Sequence, residues 1–137
     1  MATRSTISLE LEDKKVKTIF CFLDGYVKDG VGEILVKHYN TEEKIQKLLS
    51  LGDLSILSER LAPNEGEQHS YDKPIKGVTV AYKRDREETD VDSVVYPNFK
   101  KAQKEEFNYL FRDGKWYFTE LDYEYQFETE LKEVIID

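Results

Sequence analysis

Cysteine is almost missing from this sequence: Cys21 stands alone among 137 residues. No disulfide can form within the chain, and a reducing, cytoplasmic setting is expected. Cys21 lies in the apolar run Thr18-Ile19-Phe20-Cys21-Phe22-Leu23 and reads as a small buried hydrophobe rather than a nucleophile. Histidine is nearly as scarce, with His38 and His69 far apart in sequence. There is no His-Glu-x-x-His, Cys-x-x-Cys, Gly-x-Ser-x-Gly or Walker-type phosphate loop. His38 reads as a helix-end residue near terminal carbonyls, and His69 as a solvated loop residue. With 28 acidic residues, neighbouring carboxylates such as Glu87-Glu88 arise by chance. No catalytic set, no metal site and no cofactor is therefore expected. Long hydrophobic runs are missing too. Nothing approaches the ~20 apolar residues that span a bilayer, and the N-terminus has no signal-peptide core, so no membrane partner is expected. Positive charge is outnumbered, 20 Lys and Arg against 28 Asp and Glu, for a formal net charge of −8. Such a chain repels duplex nucleic acid at long range. A small anion in a local basic pocket remains compatible with that balance, and simple solubility or an acidic protein-binding face are the other uses of it.

What the sequence does have is aromatic bulk: nine Tyr, seven Phe and one Trp. Each buried ring removes a large area from water, so one real core is within reach of a chain this long. The expectation is a single compact α+β domain over residues 1–137, an antiparallel sheet of about five to six strands with two to four helices. Residues 5–12 alternate Ile7, Leu9, Leu11 against Ser8, Glu10, Glu12, and pair through Asp13-Lys14-Lys15 with a β-branched strand over 16–23. Residues 24–32 form a Gly-containing loop into a helix carrying Ile34, Leu35, His38 and Tyr39 on one face. Asn40 caps a second helix, with Glu43 as its capping-box partner, Ile45, Leu48 and Leu49 as its stripe, and Gly52 as its stop. Residues 53–62 are mixed, 63–77 form a long loop, 78–82 a strand, and 98–106 a short polar helix. Asp113-Gly114 between aromatic runs signals a type I′ hairpin. Tyr123, Phe127, Leu131 and Val134 are spaced for a C-terminal helix from about residue 126.

Three places could hold an anion. In Lys83-Arg84-Asp85-Arg86, continuing the strand puts Arg84 and Arg86 on one face, where two guanidinium forks suit a pyrophosphate, with Tyr82 next in line to stack on a base. The same charges could instead pair with Glu87 and Glu88 in a solvated loop. In Asp24-Gly25-Tyr26 with Lys28, glycine permits close backbone approach ahead of a helix N-terminus, though an ordinary strand-to-helix turn reads the same way. Arg112, near Trp116 and the hairpin turn, is the third, or else a surface cation.

Several segments in order resemble one family. They are Met1-Ala2-Thr3-Arg4-Ser5-Thr6-Ile7, Asp24-Gly25-Tyr26, His38-Tyr39, Gly52-Asp53-Leu54-Ser55 with Leu57, Tyr82 with Arg84-Asp85-Arg86, and Tyr109-Leu110-Phe111 with Asp113-Gly114-Lys115-Trp116-Tyr117. Together they resemble the first family of Thoeris anti-defence proteins. Those are phage sponges that sequester the cyclic ADP-ribose-type signal of bacterial TIR proteins, some also binding cyclic oligonucleotides, as dimers or hexamers. The resemblance implies a non-catalytic homo-oligomer in the cytoplasm of an infected bacterium, with a small cyclic nucleotide signal as partner. It implies Tyr82 against adenine, and Arg84, Arg86, Arg112 and Lys28 toward pyrophosphate, with Arg4 a further contact. The chain departs from the pattern at Phe22-Leu23, where His-Trp is expected, and at Lys83 and Glu87, where glycines flank Arg-Asp-Arg.

Overall fold

The structure, a computed structural model, describes residues 2–122 and 127–136. It is α+β, as expected, with four helices among the described residues and more strands than the sequence announces.

The centre is a hairpin of β1 (Ser5–Glu10) and β2 (Val16–Cys21), in register from Ser5↔Cys21 to Glu10↔Val16. Asp13 and Lys14, both at φ near 60°, make the tight turn that joins them. A second hairpin of β6 (Phe107–Arg112) and β7 (Lys115–Asp122) closes through Asp113 and Gly114, both at positive φ, so the expected mirror-image turn is there. The sheet is mixed, not purely antiparallel. β6 lies parallel to β1, and β3 (Leu54–Ile56) continues the far edge of β2 in parallel. Hairpin turns fix antiparallel neighbours only; long connections leave direction free. From β3 the path reaches β4 (Val80–Ala81). β5 (Val94–Tyr96), unannounced by the sequence, pairs the lower half of the same β2 edge. Between β3 and β5, Asp53 Oδ1 accepts the Phe20 N–H at 2.9 Å and completes that edge.

α1 (Val31–His38) and α2 (Glu42–Leu49) cover one face. Their Leu35, Ile45, Leu48 and Leu49 pack on Ile7, Leu9, Ile19, Tyr109, Phe111 and Trp116 in one core. The cap of α2 is Thr41 rather than Asn40: its Oγ1 accepts the Lys44 N–H at 3.3 Å, so Glu43 completes no capping box. Gly52 does stop this segment. It sits at φ 77°, and a Cβ there would meet Val91 O at 2.3 Å. The opposite face is sparser, with α4 (Phe99–Ala102) packing Phe99 and Ala102 on Val16 and Leu110. Around them, Thr6, Ser8, Thr18, Asn108 and Thr119 are buried polar groups, among them Thr6 bonded to Asn108 and Ser8 to Thr18.

The C-terminal helix does not form in the described residues. Tyr123 lies outside them, and the segment beyond supplies two short strands, β8 (Phe127–Glu128) and β9 (Lys132–Glu133), both against β7. The open edge of β7 needs hydrogen-bond partners, and Val134 N donates to Trp116 O at 2.9 Å. Edge pairing outweighs the helical spacing here.

Candidate functional site

The Lys83–Arg86 segment is not a strand continuation. β4 ends at Ala81, and Tyr82–Arg86 form a single helical turn, α3. The cause is Asp85, whose Oδ2 accepts the Ala81 N–H at 2.8 Å, four residues back. A carboxylate at that spacing captures the orphan donor of a helix start. Glu87, at φ 53° in the left-handed region, ends the turn, and Glu88 N donates to Tyr82 O at 3.2 Å.

On a helical turn, residues two apart are rotated by about 200°, so Arg84 and Arg86 diverge instead of sharing a face. Arg84 turns inward. Its Nη1 donates to Leu61 O at 2.5 Å and its Nη2 to Thr79 O at 2.7 Å. Nε and Nη2 form a fork on Asp85, at 2.9 and 3.0 Å. Its donors hold the long loop to the sheet and leave no fork for a phosphate. Burial alone would raise the Asp85 pKa. The Arg84 hydrogen bonds, the Ala81 N–H and His69 outweigh it, so the carboxyl sits below its ordinary value.

His69 is not in solvent. Its side chain is 1% exposed and its Nε2 lies 3.3 Å from Asp85 Oδ2. Its Nδ1 accepts the Ile75 N–H at 3.0 Å, which places the proton on Nε2, facing Asp85. Both ring nitrogens are engaged, so this Asp–His pair offers no free base. It locks the 63–77 loop onto α3. His38 stands 3.9 Å from Glu59 beside an open cleft.

Arg86 turns outward and is 48% exposed. Its guanidinium lies 4.7 Å from the Tyr71 ring centre and 5.3 Å from the Tyr82 ring centre. The two rings are 6.0 Å apart and tilted by 34°, so the cation sits at the apex of an aromatic wedge. Its near neighbour is Glu88, with Nε to Oε2 at 2.9 Å, yet that oxygen has no hydrogen bond. The contact is an ion pair close enough that the Glu88 carboxylate raises the Arg86 pKa above its ordinary value. A stacked, half-exposed guanidinium can donate to an oxyanion, and tyrosine faces beside it can take a planar ring. Lys83 is spent on Asp92 at 2.7 Å. Tyr71 was not anticipated; its only signal was an aromatic in an otherwise polar loop.

The remaining expected residues lie elsewhere. Gly25 is a packing glycine: a Cβ there would press Thr3 O at 2.9 Å and Arg4 O at 3.1 Å. Its N–H donates to Thr3 O and its carbonyl accepts the buried Tyr109 hydroxyl at 2.6 Å. Asp24 is exposed and gives its carbonyl to Val31 N. Lys28 borders a separate cavity of about 100 Å³ with Val27, Glu33, Ile135 and Ile136. Arg4 lies 5.5 Å from the Phe22 ring centre, near Gly25. Arg112 donates from Nε to Glu10 Oε2 at 2.8 Å. It ends β6, four strands from β4 in the sheet order, or roughly 19 Å across at the usual strand spacing. One small ligand cannot span it and Arg86.

A groove of about 770 Å³ at the turns of the two hairpins is lined by Glu10, Glu12, Asp13, Glu42 and Asp113 with Lys15. Its charge repels phosphate, so size does not choose the anion site. Among the described residues no group of three or more His, Cys, Asp or Glu side chains is placed to hold a metal ion. No helix there is long and apolar enough to cross a membrane. Burial pushes the Cys21 thiol up to about 12, which leaves it unreactive at neutral pH. No family model matches the chain, no curated protein is significantly similar to it, and no solved structure matches its fold.

Proposed function

We propose that this chain is a non-catalytic binding protein that sequesters a small nucleotide-derived anion, of the cyclic ADP-ribose or cyclic oligonucleotide type that its resemblance implies. One observation carries the reading: Arg86 is held over Tyr71 and Tyr82, half-exposed, with guanidinium N–H groups open to solvent beside its partner Glu88. A phosphate would accept those N–H groups while a purine lies against a tyrosine face, a contact of about 1–3 kcal/mol per base. This site is smaller than the two-arginine clamp expected from the sequence. Arg112 would join it only from a second copy of the chain, which is where the homo-oligomer enters the proposal; Arg4, Asp24, Gly25 and Lys28 remain further contacts that the resemblance implies. In the infected bacterial cytoplasm such a protein would act stoichiometrically, by slow release.

The test is to incubate the purified protein with cyclic ADP-ribose, remove free ligand, heat-denature, and assay the supernatant. Recovery of intact cyclic ligand supports sequestration. Recovery of linear product alone would make it an enzyme, and failure to retain ligand would remove the reading. The carboxylate-lined groove favours a second reading, an acidic inhibitor that binds a basic surface of a host defence protein. That reading requires a stable complex formed without nucleotide, scored by co-purification.

A further inference from the structure

We infer that β5 is a dimerisation edge: its open side pairs antiparallel with β5 of a second copy of the chain, across a two-fold axis at Val95. The surface lies apart from Arg86 and its tyrosines and does not depend on the anion reading. Its open side follows from its neighbour. Phe20 N donates to Asp53 Oδ1 and Phe22 N to Leu54 O, on the edge of β2 that also takes β5. Backbone groups alternate along a strand, so Val16 and Thr18 face that edge as well. They stand opposite Tyr96 and Val94, which makes those the hydrogen-bonded pairs. Lys17 and Val95 form the pair between them, so Val95 turns its own N–H and C=O away from β2. Among the described residues no strand lies beyond β5 and nothing bonds those two groups.

Edge strands are usually blunted by charge, a bulge or a covering element. This one carries Val94, 49% exposed, and Val95, 54% exposed. As strand neighbours they point to opposite faces, so apolar surface is open on both. Charge order selects the occupant. Asp90 and Asp92 precede the strand and Lys100 and Lys101 follow it, all exposed. An antiparallel second copy sets the acidic approach of one β5 beside the basic exit of the other, twice over by symmetry. A chain at −8 repels its own copy at long range, and this local pairing of opposite charge offsets that repulsion. Within β5 only Val95 presents both backbone groups outward. The pairing that satisfies them puts Val95 on its symmetry mate, each donating its N–H to the other's carbonyl, with Val94 opposite the partner's Tyr96. A two-fold pair covers both edges at once and closes as a dimer.

The experiment is sedimentation equilibrium of the full chain as wild type, Val95→Lys and Ile135→Lys, each checked for an unchanged thermal melt. Val95→Lys sets two ammonium groups opposite each other on the axis. Ile135→Lys makes the same change at an apolar residue elsewhere, 72% exposed. Wild type and Ile135→Lys should associate alike, and Val95→Lys should raise the dissociation constant at least about tenfold. A monomeric wild type would overturn the inference and leave the edge to a strand of another protein. So would a Val95→Lys chain that associates as wild type does, or equal dissociation of both variants. Register is read by cross-linking with oxidised glutathione. Cys21 is buried, so an engineered thiol on β5 responds alone. Val95→Cys should give a covalent dimer, because the Cα atoms of a hydrogen-bonded pair, about 5.5 Å apart, lie within disulfide range. Val94→Cys should not, because it stands diagonal to its own mate. Equal cross-linking of the two, or none in Val95→Cys, would overturn the pairing.

Discussion

Arg84 and Arg86 are two residues apart and should fail in different ways when removed. Arg84→Ala strips the carbonyls of Leu61 and Thr79 of a donor and leaves Asp85, 5% exposed, without its fork. A loss of about 3 kcal/mol in unfolding free energy is expected, read by denaturant titration. Arg86→Ala removes two surface cation–π contacts, and stability should fall by about 1 kcal/mol or less, while ligand binding disappears. Glu87 gives a third residue-scale expectation. It holds a left-handed φ of 53° at the end of α3, where a side chain is strained and glycine is not. Glu87→Gly should raise unfolding free energy by about 1 kcal/mol in the same titration. The glycine expected there from the resemblance fits the backbone that Glu87 is forced to adopt.

The elements divide by whether their cause is local. Both hairpins were legible because their causes are local: alternation on either side, and Asp13-Lys14 or Asp113-Gly114 able to take positive φ. The stop at Gly52 was legible for the same reason. The helical turn at 82–86 was not. It depends on Asp85 reaching back to Ala81 while Arg84 and His69 grip Asp85 from other segments. Without those partners the sequence reads as a strand running into charge, and two arginines that diverge look paired. The C-terminal strands were illegible too, because the open edge of β7 lies at a distance in sequence. The 63–77 loop is held by the same network, which makes it testable as an element. His69→Ala removes the acceptor for Ile75 N and a partner of Asp85. Hydrogen exchange at Ile75 should accelerate by at least about tenfold, the factor that corresponds to losing one buried hydrogen bond. Core strand amides, such as that of Ile7, should keep their protection in excess of the loop.

At the scale of the molecule, opposite carboxylate shifts shape the pH dependence. Burial raises the Asp53 pKa above 3.8 and the Glu105 pKa above 4.5. A raised carboxyl binds its proton more readily folded than unfolded, so these two groups add stability as pH falls from neutral through their folded values. Asp85 is lowered. Its contribution is complete above the unfolded value and is lost as pH drops below about 3.8 toward its folded pKa. Falling pH also relieves the self-repulsion of a chain at −8. The melting temperature should therefore rise from pH 7 toward about pH 5 and fall steeply below about pH 3.8. A melting temperature that declines continuously from pH 7 would show that the buried carboxylates do not carry this balance. Asp53→Asn, which keeps an acceptor for Phe20 N, should flatten the gain between pH 7 and 5.

The central claim is that one guanidinium in an aromatic wedge, rather than a basic surface at large, receives the anion. It is tested most directly by following arginine Nε–H and tyrosine ring resonances by nuclear magnetic resonance during titration with ADP. The prediction is that Arg86 shifts together with Tyr71 and Tyr82, while Arg84, locked on Leu61, Thr79 and Asp85, and Arg112, locked on Glu10, stay in place. Movement of Arg112 or Arg4 with Arg86 silent would contradict it.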